Sequence, residues 1–294
     1  MATDTATDVF EEHRPVLTGV AYRMLGRVAD AEDVVQEAWL RWSGADRTDV
    51  REPRGYLVRI TTRLAIDRLR HVQSRREAYV GPWLPEPYVT DFGDTVPDTA
   101  ERAVLADSVS LAVLVVLESL SPLERAVFVL REAFGYPYAD IATTLDRSES
   151  AVRQLAGRAR KHVDERRPRY EVDPVERRLL TERFLAAAVE GDLAGLLSLL
   201  APEVRLVGDS GGLAKAPLRV IESADKVSRF IFGAARKGIP DVSFHLVEVN
   251  GGAALLALSG DKADSVFQLD VADGRIQCIY VIRNPEKLLS LSPE

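Results

Sequence analysis

The chain has 294 residues, more than one core of ordinary size needs, and this points to two or three domains. Hydrophobic residues make up 46% and charged residues 28%, which excludes a disordered or fibrous chain. A formal net charge of −7 argues against a protein that coats nucleic acid without specificity, and the single cysteine, Cys278, excludes an internal disulfide and fits the cytoplasm.

Met1 to Glu12 carries acids, no basic residue and no apolar core, so it reads as neither a signal nor a transit peptide. The longest apolar run, Leu111 to Leu117, is far short of a membrane span, and no membrane partner is expected. The first 170 residues read as helical. Leu17, Val20, Ala21, Met24 and Leu25 recur at helical spacing. A second helix, Asp30 to Trp42, separates by face: Val34, Val35, Ala38, Trp39 and Trp42 on one arc, Asp30, Glu32, Asp33, Gln36, Glu37 and Arg41 on the other. Pro53 suits the first turn of a third helix, with Leu57, Ile60 and Leu64 as core stripe and Arg59, Arg63 and Arg70 opposite. Arg51 to Arg76 holds eight arginines and two acids, whereas Glu77 to Glu101 holds six acids and no Lys or Arg. Gly81 to Asp98, with four prolines, is predicted to be an extended linker. Helices resume near Glu101 and run through Leu120, and Ser121, Pro122 and Glu124 mark a helix start.

Tyr138 to Leu145 and Glu149 to about Val163 are two helices joined by the tight turn Asp146-Arg147-Ser148. Ile141, Ala142, Leu145, Val152 and Leu155 would pack them together, and Ser148 can cap the second. That leaves Glu149, Ser150, Arg153, Gln154 and Arg158 on its outer side, the helix-turn-helix arrangement whose second helix enters the major groove. Arg offers a bidentate fork to guanine and Gln can pair with adenine, while Arg160 and Lys161 suit phosphates. The bland alternative is a helical hairpin with a solvated basic face.

After Pro168 the character changes. Val175 to Val189 is an amphipathic helix broken at Gly191-Asp192, followed by Leu193 to Leu200, a run Val204 to Val207 and a helix Ser223 to Arg236. Strand-like runs follow at Val242 to Val249, Ala253 to Leu258, Ser265 to Val271 and Ile276 to Ile282, with hairpin turns at Asn250-Gly251-Gly252 and Asp273-Gly274. A helix pair followed by an antiparallel sheet is an α+β domain.

Ala21-Tyr22-Arg23-Met24-Leu25-Gly26, Ala29 to Ala38, and Pro53-Arg54-Gly55-Tyr56-Leu57 running through Leu64 to Arg70 resemble region 2 of extracytoplasmic-function sigma factors. Leu120 to Arg125 and the helix-turn-helix resemble region 4. The likeness covers roughly the first 165 residues, with the motifs in the family's order. It implies that Asp30, Glu32, Asp33, Gln36 and Glu37 bind the clamp helices of the β′ subunit of RNA polymerase core. Arg59, Thr62, Arg63, Asp67 and Arg70 would lie at the −10 element of promoter DNA. Ser148, Glu149, Ser150, Arg153, Gln154, Arg158, Arg160 and Lys161 would lie at the −35 element. The acidic linker would thread a basic channel of the polymerase that later holds RNA, and the β subunit joins β′ among the expected partners. The C-terminal third resembles the SnoaL-like domain, a helix-and-curved-sheet cone fused to one sigma subgroup. Trp83-Leu84-Pro85-Glu86-Pro87, the glycine-rich Asp209 to Lys215, and Asn284-Pro285-Glu286-Lys287-Leu288 carry that likeness. It implies a regulatory role for Trp83, Pro85, Asp209, Lys215, Asn284, Pro285, Lys287 and Leu288.

The expected fold is thus multi-domain, with two all-α sigma domains and a C-terminal α+β SnoaL-like domain. The expected boundaries are 8–78, a linker 79–100, 101–167 and 174–290. No cofactor or metal is expected, because no second His or Cys stands at ligand spacing and no Gly-x-x-x-x-Gly-Lys occurs. Three readings compete. The first is a sigma factor modulated by its C-terminal domain, a small-molecule ligand of that domain remaining open as a further partner. The second is an ordinary helix-turn-helix regulator, which would not need the acidic helix. The third is a cyclase-like enzyme fused to a DNA-binding module, with Asp209, His245 and Asp270 as acid–base groups.

Overall fold

The computed structural model describes residues 2–48, 50–76, 78–91, 110–166, 173–238 and 241–291. The chain divides into two compact units, Met1–Glu77 with Pro97–Arg167, and Ala78–Val96 with Pro168–Glu294. Both helical segments fall in the first unit, and the first part of the expected linker groups with the C-terminal unit. Residues 92–100 of that linker and residues 101–109 of the expected helix lie outside the described residues.

In the first unit, α1 (Ala2–Leu25), α2 (Val28–Ser43) and α3 (Pro53–Arg76) pack on one another. Phe10, Leu17, Val20, Val35, Ala38, Leu57, Ala65 and Leu69 are buried, as apolar side chains at helical spacing demand. The Trp42 indole donates to the Ala6 carbonyl at 2.9 Å, which satisfies the polar edge of a buried ring. Then come α4 (Leu111–Leu117), α5 (Pro122–Phe128), a π-helical turn Val129–Ala133, α6 (Tyr138–Leu145) and α7 (Glu149–Arg166). Ser121 and Glu124 complete a capping box at the start of α5, where the sequence places a helix start. Asp146 closes α6 in the left-handed region at φ 54°, a conformation that Asp adopts more readily than most residues.

The α1–α3 group and the α5–α7 group are packed together. Arg125 on α5 is fully buried; its Nε donates to the Arg23 carbonyl and its Nη2 to Glu118, each at 3.0 Å. Burial pushes its guanidinium down to about 9. Arg63 on α3 donates to the Thr144 carbonyl at the end of α6, at 2.8 Å.

Among the described residues the second unit holds a seven-stranded sheet and three α-helices. Its elements are β1 (Val89–Asp91), α8 (Pro174–Glu190), α9 (Leu193–Leu199), β2 (Leu200–Asp209), β3 (Ile221–Glu222) and α10 (Ala224–Lys237). The strands β4 (Val242–Val249), β5 (Gly252–Ser259), β6 (Lys262–Ala272) and β7 (Arg275–Ile282) complete it. The sheet is mixed rather than antiparallel throughout, because β2 pairs parallel with β7. Leu255, Leu269, Ile279, Val281 and Leu206 point to one face and pack on Leu180, Phe184, Leu196, Leu199 and Val227 of the helices. Both hairpin turns expected from the sequence have positive φ at their central residues, Asn250-Gly251 and Asp273-Gly274, as a type I′ turn requires. Among the described residues no helix is long and apolar enough to cross a membrane.

Candidate functional site

Three surfaces carry the expected residues. On α2, Glu32, Asp33, Gln36 and Glu37 are exposed on the face away from the buried Val34, Val35 and Ala38. Asp30 differs from expectation. It is buried, and its carboxylate accepts from Arg68 Nε at 3.0 Å and Nη2 at 2.6 Å, tying α2 to α3. Arg68 also reaches Asp33 at 3.1 Å. Leu40 is 62% exposed and continues the acidic stripe by one turn from Gln36 and Glu37. The sequence reading placed Leu40 on neither face of the helix, because attention to the charged residues passed over an apolar one between them.

On α3, Arg59, Arg63, Asp67 and Arg70 lie outside the core, and Arg70 pairs with Asp67 at 3.0 Å. Thr62 contradicts its assignment: together with Thr61 it is fully buried. The core stripe of α3 is wider than Leu57, Ile60 and Leu64, since the helix packs on α1 and α2 along one side and on α5 and α6 along another. Arg63 is likewise committed to the Thr144 carbonyl.

On α7, Ser148, Glu149, Ser150, Arg153, Gln154, Arg158, Arg160 and Lys161 are all exposed, while Val152, Leu155 and Ala159 are buried. Ser148 Oγ accepts from the Ala151 N–H at 3.2 Å, as a cap does. Three arginines here already hold carboxylates. Arg153 bonds Glu149, Arg158 bonds Glu124 at 2.9 Å, and Arg160 bonds Glu132 at 2.8 Å. Glu124 serves both its capping box and Arg158, and the Ser121 hydroxyl followed by Arg158 draws its carboxyl below the usual range.

In the second unit the three separate motifs converge on Asp209, at the end of β2 and fully buried. Its carboxylate accepts from Lys287 Nζ at 2.6 Å, from Tyr79 Oη at 2.5 Å and from the Leu84 N–H at 2.8 Å. Lys287, also buried, donates to the Leu84 carbonyl at 2.5 Å and lies 3.3 Å from the centre of the Trp83 ring. Asn284 donates to Tyr79 Oη at 2.7 Å, and its side chain caps Pro285–Lys287 by accepting from Glu286 N. Leu84, Pro85, Glu86, Pro87 and Leu288 are buried around this cluster. Gly211 is required beside it: φ is +58°, and a Cβ would stand 2.7 Å from Asn284 Nδ2 and 2.9 Å from Tyr79 Oη. Burial and the neighbouring Asp209 push the Tyr79 phenol well above its usual range.

The expected extended linker is therefore, over Ala78 to Asp91, a strap held by the C-terminal unit and extended onto its sheet by β1. Tyr79 was missed because nothing in the spacing of residues 79, 209 and 287 announces contact. Lys215 does not join the cluster; its side chain is exposed and its carbonyl accepts from Arg283 at 2.8 Å. The acid–base candidates sit on different strands: Asp209 is committed to Lys287, and exposed His245 bonds Ser243 at 2.9 Å. Asp270 lies beside Arg177, with burial pushing it up to about 6. Burial likewise pushes the Cys278 thiol up to about 12.

Residues 9–76 match the family model for Sigma-70 region 2, and residues 110–163 that for Sigma-70, region 4. The chain is 42% identical over 288 residues to the ECF RNA polymerase sigma factor SigJ of Mycobacterium tuberculosis, covering 95% of this chain and 91% of that one. It is 36% identical over 293 residues to the probable ECF RNA polymerase sigma factor SigI of the same organism, covering 99% and 97%. The crystal structure of M. tuberculosis SigJ superposes with a TM-score of 0.79 at 38% identity, covering 98% of this chain and 99% of that chain. With both halves of the polymerase- and promoter-binding machinery in place, this chain belongs to the ECF sigma factors, which bind RNA polymerase and direct it to promoters.

Proposed function

We propose that this sigma factor is governed from within, its C-terminal unit setting transcriptional output by gripping the strap that follows region 2. The observation that carries this is the buried Asp209–Lys287 pair, which ties strap, sheet and tail at a single point. Such a pair is a costly construction unless its polar atoms are answered, and here the Tyr79 hydroxyl and the Leu84 backbone answer them, with Asn284 holding the Tyr79 hydroxyl in turn. Removing residues 284–294 should change run-off transcription by core polymerase while leaving α7 intact. Unchanged output would remove the regulatory reading.

The exposed stripe Glu32, Asp33, Gln36, Glu37 and Leu40 fits a basic helical surface, for which the clamp of the β′ subunit is the partner proposed. Charge reversal at Asp33 and Glu37 should abolish binding to core polymerase with the helical fold retained by circular dichroism. The outer face of α7 supplies −35 readers, and the exposed arginines of α3 supply −10 contacts. The apolar filling of the sheet's helix-covered face, and the commitment of Asp209 to Lys287, favour a regulatory over a catalytic role for the C-terminal unit.

A further inference from the structure

We propose that Tyr138 is a specificity-determining positioning residue that holds the arginines of α7 in place for the −35 element. The inference rests on the reading of α7 as the −35 reader. Tyr138 opens α6 and is half-buried against the start of the recognition helix. The Arg153 guanidinium carbon lies 4.7 Å from its ring centre, that of Arg131 lies 4.8 Å away, and Arg160 Nη2 donates to its hydroxyl at 3.1 Å. One ring therefore organises three cations. Arg131 is fixed in turn by the Tyr136 carbonyl at 3.0 Å, and Arg160 by Glu132, which the π-helical turn presents.

An arginine that reads a base must place a planar fork within a narrow range of angles, and a free side chain loses rotamer freedom on doing so. Stacking on Tyr138 removes much of that loss before DNA arrives, for Arg153 through the ring face and for Arg160 through the hydroxyl. The two contacts separate by chemistry: Tyr138→Phe keeps the ring and deletes the hydroxyl, whereas Tyr138→Ala deletes both.

The test uses holoenzyme assembled from core polymerase and full-length chain. Wild type, Tyr138→Phe, Tyr138→Ala, Arg153→Ala and the Tyr138→Ala,Arg153→Ala double variant each select from duplexes randomised across the −35 region. Sequencing bound and free pools gives the preference at every base pair. Arg153→Ala should flatten the preference at one base pair by about tenfold. Tyr138→Ala should flatten the same base pair by about threefold. In the double variant the second change should add nothing there, because Tyr138 acts through Arg153. Tyr138→Phe should retain that preference and weaken binding evenly across the pool. A Tyr138→Ala profile identical to wild type, or additive flattening in the double variant, overturns the proposal. A flat wild-type profile overturns the −35 reading itself and the proposal with it.

Discussion

Ion pairs in the two units of this chain use the same chemistry at opposite burial. On α7, the side chains of Arg158 and Arg160 are 62% and 45% exposed while they hold Glu124 and Glu132. In the C-terminal unit, Lys287 and Asp209 are 1% and 0% exposed. Exposed pairs are worth at most about 1 kcal/mol, so a DNA phosphate can take the arginine from its carboxylate at little expense. Removing one partner of a buried pair strands a charge away from water, at about 3–5 kcal/mol. The exposed pairs of α7 can thus exchange partners, and the strap cluster is built to keep them.

That contrast can be broken at several points. The largest effect is expected from Lys287→Met, which leaves Asp209 buried without its cation; urea denaturation should show the C-terminal unit destabilised by about 3–5 kcal/mol. A loss below about 1 kcal/mol would mean that the pair is no anchor. Next comes Asp270, whose carboxyl sits at about 6 against an ordinary 3.8. A group with a raised folded pKa binds protons more readily in the folded state. Stability should therefore fall as pH rises from about 4 through about 6, by roughly 3 kcal/mol in all. Asp270→Asn should abolish that slope in pH-dependent melting. Tyr79→Phe removes one donor to Asp209 and one acceptor for Asn284, and should cost about 1–2 kcal/mol by the same denaturation assay. The smallest effect on stability belongs to Arg158→Ala, under about 1 kcal/mol. Its promoter affinity should nonetheless drop, and the salt dependence should become shallower by about one ion.

Much of this was legible before the structure. The helix periodicities, the Ser121 start, the tight turn at Asp146 and the two expected hairpins follow from local rules that a few neighbouring residues satisfy together. The exposed face of α7 was readable for the same reason. What local rules cannot give is which elements meet. Thr62 was placed at the −10 element by resemblance alone, and its burial comes from a second packing face of α3 supplied by α5 and α6, far along the chain. Asp30 looked like one carboxylate among several until Arg68, 38 residues on, claimed it. The parallel pairing of β2 with β7 and the meeting of Tyr79, Asp209 and Lys287 are likewise products of topology. The strap misled most, since prolines and acids signal an extended segment equally well whether it is free or pinned to a sheet.

On the reading proposed above, the buried cluster transmits control from the C-terminal unit to promoter-directed initiation. Single-round transcription tests it most directly, on a template selected by the wild-type holoenzyme, with wild type compared against the Asp209→Leu,Lys287→Met variant. That exchange removes both charges together and releases the strap's charged grip, with only the uncharged Tyr79 hydroxyl and Leu84 backbone groups left to find other partners. A folded variant whose output differs by about fivefold or more agrees with the account; a folded variant whose output matches wild type contradicts it.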